Sequence, residues 1–185
     1  MNTPVRVTQT KPAVDDIKAH EEQQQYLTFM SSSEIYAISI LRIKEIIQYG
    51  KLTEVPRMPG FIRGVINLRG AVVPVIDLSA RFGKEPTAIG RRNCIIITEV
   101  AVNDKTQVVG VMVDAVNAVL EIPAGEIEPA PAFGAHIRTD FIAGMGKIND
   151  QFVIILNIQH VLSMDDIEAL FSMKPDQAIE PASTE

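Results

Sequence analysis

The 185-residue chain repeats itself, and that repetition limits the folds open to it more than any other feature. Phe61, Ile62 and Gly64 of "FIRGVINLRG" return 80 residues later as Phe141, Ile142 and Gly144 of "FIAGMGKIND". At the same offset Leu68 falls on Ile148, Val73 on Val153, Ile76 on Leu156, Asp77 on Asn157 and Leu78 on Ile158. Earlier in the chain "YAISILRIKEII" lies over "VGVMVDAVNAVL" at an offset of 73, so Ile43, Ile46 and Ile47 meet Val116, Val119 and Leu120. The proline-rich stretch "PAGEIEPAPAFGAHIRTD" absorbs the difference between the offsets. Any two β-hairpins share a period-two pattern, but matched glycines in matched order argue for a duplicated unit of roughly 70 residues.

Each copy reads as short strands divided by turn signals. "QYLTFMSSSEIYAISI" is a hairpin pattern, and Asn103-Asp104 and Asn149-Asp150 mark further turns. Pro56 and Pro59 break the segment after Gly50, and Pro74 argues for an edge strand or a bulge. "LRIKEIIQYG" and "DAVNAVLEI" space their apolar residues at helical intervals and are expected as matched short helical turns. "SMDDIEALFSM" predicts a helix with Ser163 as N-cap and Asp166 three residues on. The fold class is mainly all-β: two small five-stranded barrels from an internal duplication, with a C-terminal helix. Barrels this small have thin cores, so a further apolar layer between them is expected. The expected boundaries are a disordered tail over 1–22, a first barrel over 23–82, a linker over 83–92, a second barrel over 93–162, a helix over 163–173 and a disordered tail over 174–185.

Composition excludes several functions. The net charge of −6 and the lack of a Lys/Arg cluster argue against nucleic acid. No apolar run reaches the roughly 18 residues a membrane span needs, and the N-terminal stretch lacks a signal peptide's apolar core, so a cytoplasmic protein is expected. His20, His136 and His160 are scattered, with no metal-ligand spacing. Cys94, between Asn93 and three isoleucines, reads as a core residue rather than a reactive thiol. There is no phosphate-binding Gly-rich loop and no nucleophile elbow. Asp165 and Asp166 suit a helix start, and Glu126 and Glu128 sit in the proline-rich segment as solvated charges. The reading is a folded body with no catalytic, cofactor-binding or metal-binding residues, which favours binding or scaffolding.

"PGFIRGVINLRGAVVPVIDL" (59–78), taken with "YAISILRIKEII", "VVGVMVDAVNAVL", "IEPAPAF" and "FIAGMGKINDQFVIILNI", closely resembles the CheW family of bacterial chemotaxis coupling proteins. The likeness covers about residues 23–171. It implies two five-stranded SH3-like barrels and a non-enzymatic adaptor in two-component signal transduction. The implied partners are the regulatory domain of the histidine kinase CheA and the cytoplasmic tips of methyl-accepting chemoreceptors, with recruitment to receptor arrays and no membrane insertion. It further implies a receptor-binding surface at or near Ile43, Gly64, Gly110, Val116 and Val119. A kinase-binding or assembly site is placed at Asn67, Leu68, Arg69 and Gly70. Two alternatives stand beside it: a scaffold of the same family in another pathway, such as surface motility, and a small-ligand-binding β-barrel.

Arg69 sits at the end of an apolar strand, and Glu45 lies between Ile43 and Ile46. Their repeat counterparts are Asn149 and Ala118, so the second copy lacks both charges together. That joint loss predicts a structural ion pair between Glu45 and Arg69.

Overall fold

The computed structural model describes residues 23–102, 104–130 and 139–162. The expectations for the two tails, the helix over 163–173, His20 and His136 lie outside these residues. β1 (Gln23–Ser31) and β2 (Glu34–Ser39) form a hairpin whose turn residues Ser32 and Ser33 have φ of 51° and 66°. A 3-10 turn at Ile40–Arg42 leads into β3 (Ile43–Gln48). β4 (Ile62–Leu68) and β5 (Ala71–Asp77) make a second hairpin, followed by the helical turn α1 (Leu78–Arg81). Then come β6 (Cys94–Val102), β7 (Lys105–Val113), β8 (Ala115–Pro123), the short β9 (Ile127–Glu128), β10 (Ile142–Ile148), β11 (Gln151–Leu156) and α2 (Ile158–Leu162).

Two of the sequence expectations need correction here. "LRIKEIIQYG" and "DAVNAVLEI" are strands β3 and β8, not helical turns. Along β3, Ile43, Glu45 and Ile47 are half-buried while Lys44, Ile46 and Gln48 are exposed, which is ordinary strand alternation. The helical spacing arose because Ile46 is apolar although it faces solvent. Pro74 does not mark an edge, because β5 lies between β7 and β4. Its missing N–H is harmless there, since the parallel pairing of β5 with β7 begins one residue later, at Val75.

The strands form two sheets, of order β3-β6-β7-β5-β4 and β8-β1-β2-β11-β10-β9. The repeat explains this arrangement position by position. Val75 pairs in parallel with Gly110 in one sheet, and their counterparts Ile155 and Ala37 pair in parallel in the other. The same mapping relates β3 to β8, β6 to β1, β4 to β10 and β5 to β11. Each sheet therefore takes its first two strands from the other copy. Residues 83–92 are accordingly a loop within the first unit, not the border between units, and the 23–82 and 93–162 partition gives way to residues 43–113 against 23–39 plus 115–162. A linear repeat predicts contiguous halves, but pairing register decides which strands join.

One continuous segment closes each sheet. After β3 pairs with β6, the chain crosses to Thr53, which bonds reciprocally with Val65 of β4. In the other unit β8 pairs with β1 and β9 pairs with β10, so β9 extends the path of β8 across the opening. Gly64 makes the first crossing possible: its φ is +148°, and a Cβ there would lie 2.2 Å from the Thr53 carbonyl oxygen. Gly110 plays a similar part inside the barrel, with Ile95 Cγ2 only 2.7 Å from where its Cβ would stand.

Three apolar clusters result. Ile66, Val73, Val75, Ile95, Ile97 and Met112 fill the first barrel. Tyr26, Ala37, Ile122, Val153 and Ile155 fill the second. The largest cluster lies between them and draws on both units, with Leu27, Phe29, Tyr36 and Ile38 from one and Ile76, Ile96, Val109 and Val111 from the other. The Arg81 guanidinium stands 4.8 Å from the ring centres of both Phe61 and Phe141, a repeat-related pair, and its Nε donates to the Val161 carbonyl. Asp77 and Asn157 occupy equivalent positions and accept from the backbone N–H of Ala80 and His160, so matched residues start matched helical turns.

Gly64→Ala is expected to destabilise the fold by at least about 2 kcal/mol, since its neighbour is backbone that cannot step aside. Gly50→Ala, where nothing lies within 4 Å, serves as the control in the same urea titration. Tyr36 is fully buried and its OH donates to Glu34 Oε2 at 3.0 Å. Burial, and then the nearby Glu34 carboxylate, raise its pKa far above the usual phenol value. The neutral form is thus the folded form. Its contribution is complete below the unfolded value of about 10 and is lost as pH rises above it. Tyr36→Phe should flatten the alkaline arm of the stability curve above pH ~10, read by thermal melting at several pH values.

Candidate functional site

Two surfaces stand out once burial is known. The first lies on the repeat-equivalent strands β3 and β8. Each carries a bulge at an equivalent residue: Lys44 is the extra residue opposite β6, and Asn117 the extra residue opposite β1. Ile46 is 42% exposed and Val119 53% exposed at equivalent positions, and Leu41 beside β3 is 82% exposed. Ile43 and Val116 are half-buried and pack against the cluster between the barrels. Gly64 and Gly110 do not belong to this surface. Both are buried, and the close approach they permit is to Thr53 and Ile95 within the barrel rather than to a partner.

The second surface is the turn between β4 and β5. Arg69 and Gly70 have φ of 51° and 87°, the left-handed pair that a two-residue hairpin turn requires. Asn67 holds the turn by accepting the Gly70 N–H at 2.8 Å. Arginine is an unfavourable choice for such a position, and the second copy places Asn149, with φ 48°, at the same point. The Arg69 side chain reaches back so that Nη2 donates to Glu45 Oε2 at 2.7 Å. Glu45 does so from strand β3, not from a helix; its side chain is 26% exposed and that of Arg69 75%, so the pair is open to solvent at its arginine. Leu68, Val73 and Val108 floor a cleft of about 190 Å³ beside it, with Lys44, Glu45 and Arg69 on the rim.

Sequence reading passed over Val72, which is 73% exposed next to this turn, and Phe152, 55% exposed at the equivalent place beyond the β10–β11 turn. The signal was available. Each is the second residue of its strand, next to exposed Ala71 or Gln151 and directly beyond the turn, where both faces are still open to solvent.

Among the described residues no group of three or more His, Cys, Asp or Glu could hold a metal ion, and no helix is long and apolar enough to cross a membrane. The one described histidine, His160, is exposed with Nδ1 2.9 Å from the Asp140 carbonyl. Cys94 is half-buried with its Sγ turned to the Arg92 carbonyl. The buried carboxylate of Asp77 is wholly engaged by Thr87, Ala80 and Arg63.

What remains is an all-β protein with two closed units whose distinctive surface consists of outward apolar side chains and an arginine turn, the equipment of a protein-binding module. A CheW-like domain matches residues 25–166. The chain is similar to the chemotaxis protein CheW of Bacillus subtilis, 37% identical over 88% of this chain and 98% of that one. It is also similar to CheW of Klebsiella aerogenes, 35% identical over 78% of this chain and 84% of that one. The crystal structure of the scaffolding protein TtCheW from Thermoanaerobacter tengcongensis superposes with a TM-score of 0.70 at 33% identity, covering 78% of this chain and 90% of that one. The chain belongs to the CheW-like family of chemotaxis proteins.

Arg69→Asn gives the turn the residue of the second copy. It loses a surface pair worth under about 1 kcal/mol and relieves left-handed strain of about the same size. Stability in a urea titration should therefore stay within about 1 kcal/mol of wild type. A larger loss means that the Glu45–Arg69 pair contributes more than an exposed pair does.

Proposed function

We propose that the protein is a non-enzymatic adaptor that joins the cytoplasmic tips of chemoreceptors to the regulatory domain of the histidine kinase CheA, and so brings kinase activity under receptor control. An adaptor needs more than one kind of hold, and two kinds of surface feature support this reading. That observation carries the reading: outward Ile46 and Val119 on β3 and β8 supply one, and the Arg69 turn with its Glu45 pair and cleft supplies the other. A receptor tip is a helical hairpin, and a helix is held through its apolar stripe, which suits the first surface. The half-buried Ile43 and Val116 lie behind that surface and set its backing. The second surface, with Asn67 fixing the turn and Leu68 in the cleft, suits the kinase. Its guanidinium offers directional hydrogen bonds that lysine would not replace. Arginine persists at a strained turn position because assembly uses its side chain. The protein acts in the cytoplasm, recruited to receptor arrays.

Co-sedimentation with receptor-bearing membranes and the kinase tests this. Val119→Asp should change stability by no more than about 0.5 kcal/mol, as exposed substitutions do, and yet reduce receptor co-sedimentation. Ile43→Asp buries a charge against the layer between the barrels and should lower the melting temperature instead. Wild-type protein that sediments with neither membranes nor kinase would sink the adaptor reading.

A further inference from the structure

The two units meet through more than the apolar layer. Ser79 of α1 and Gln159 of α2 are equivalent at offset 80, and each holds a hairpin of the other unit. Ser79 Oγ gives its hydrogen to the Glu85 carbonyl at 2.6 Å, so it accepts from Ser32 Oγ at the β1–β2 turn. The Ser32 N–H also donates to Asp114 Oδ2 at 2.9 Å, and Asp114 is where the chain crosses from β7 in one unit to β8 in the other. Gln159 does the reciprocal work on β6. Its Oε1 accepts the Ala101 N–H at 3.0 Å, and its Nε2 donates to the Ala101 carbonyl at 2.7 Å. Between these two latches lies the Arg81–Val161 hydrogen bond, which itself joins residues equivalent at offset 80.

The latches differ in how they are built. Ser79 is buried, and the Ser32–Ser79 contact is tied to Glu85 and Asp114 as well. Breaking it strands polar groups away from water, which is costly. The Gln159 latch is a single amide on exposed main chain. β3 pairs with β6 only as far as Thr98, so Ala101 has no strand on that side and the Gln159 amide stands in for one. When the amide turns away, water satisfies both Ala101 groups, and the exchange costs little. One latch is therefore built to stay and the other to open. The apolar layer keeps the units face to face, but apolar contact has no preferred direction, so the last degrees of their relative rotation fall to the hydrogen bonds at its rim.

We propose that Gln159 is the releasable catch of a hinge whose fixed side is Ser32, Ser79 and Asp114, and that the angle between the units carries receptor state to the kinase. The inference rests on the adaptor reading and supplies its regulation. The outward apolar surface takes Ile46 from one unit and Val119 from the other, so its shape depends on that angle. A receptor helix that fits one angle better than another shifts the hinge toward it. The kinase, held at the Arg69 turn of the first unit, then meets the second unit in a changed position. Gln159 touches neither partner and acts as a positioning residue.

Two variants of the full chain test this. Gln159→Leu keeps the bulk of the side chain and removes both hydrogen bonds, and Gln159→Glu sets a carboxylate oxygen against the Ala101 carbonyl. Both act at the surface and should melt close to wild type. Losing the two bonds shifts the latched-to-open ratio by roughly tenfold. With Cys94→Ala as background, spin labels on cysteines at exposed Ile89 in the first unit and exposed Gln151 in the second report the angle as a distance distribution. Wild type should give one narrow distance, and both variants a broadened or shifted one. Receptor co-sedimentation should stay within about twofold of wild type, while the receptor-controlled change in kinase activity falls by about threefold or more. A purely structural role would lower melting temperature and binding together. Wild-type distances in both variants would overturn the hinge, as would unchanged kinase control in variants whose distances have broadened. Either result leaves the adaptor role intact. Wild-type protein that sediments with neither membranes nor kinase would instead overturn the adaptor role.

Discussion

The apolar layer between the two barrels governs the rest of the molecule. Neither barrel has room for a large core, so strands of both must bury a second face against the other unit. In β6, Ile95 and Ile97 point into the first barrel while Ile96 points into the shared layer. That double burial is why "CIIIT" reads as an unbroken apolar run rather than an alternation. It leaves solvent-facing apolar residues to the outer strands β3 and β8 and to the turn-proximal starts of β5 and β11. The layer fixes the relative position of everything a partner meets.

Much of this was legible. The duplication, the hairpins, the turn at Asn149-Asp150 and the need for a layer between barrels all followed from matched residues and turn chemistry. The misreadings have physical causes. Exposed Ile46 and Val119 completed a helical spacing in segments that are strands, so solvent-facing apolar residues were mistaken for periodicity. For Gly64 and Gly110 a sequence does not show what approaches closely; in the fold it is the Thr53 backbone and the Ile95 side chain. Duplicated barrels can exchange terminal strands, so exchange was open from the repeat alone, but which sheet receives each strand is decided by register, since both copies contain a full set.

The duplication also separates what the fold requires from what has been added to it. Bulges at Lys44 and Asn117, bulges at Arg63 and Ala143, the caps Asp77 and Asn157, and the rings of Phe61 and Phe141 about Arg81 occur at equivalent points. These belong to the barrel plan. The Glu45–Arg69 pair and the Arg63–Asp77–Thr87 network belong to the first copy, and Ala118, Asn149 and Ala143 stand where Glu45, Arg69 and Arg63 have their counterparts. Under the adaptor proposal that asymmetry has a use, because identical ends would not tell two partners apart.

The exchange of strands sets an order of assembly during synthesis. The sheet of β3 to β7 is drawn from one contiguous stretch, residues 43–113, and has all its strands once that stretch has left the ribosome. The N-terminal hairpin is made first and completed last. Its Ala37 waits for Ile155, and its Gln23 for Pro123. Until then Leu27, Phe29 and Tyr36 can meet only the half of the layer that Ile76, Ile96, Val109 and Val111 supply. Pairings so distant in sequence are slow to form, and the waiting hairpin is the segment through which a nascent chain of this kind is most exposed to aggregation or chaperone capture.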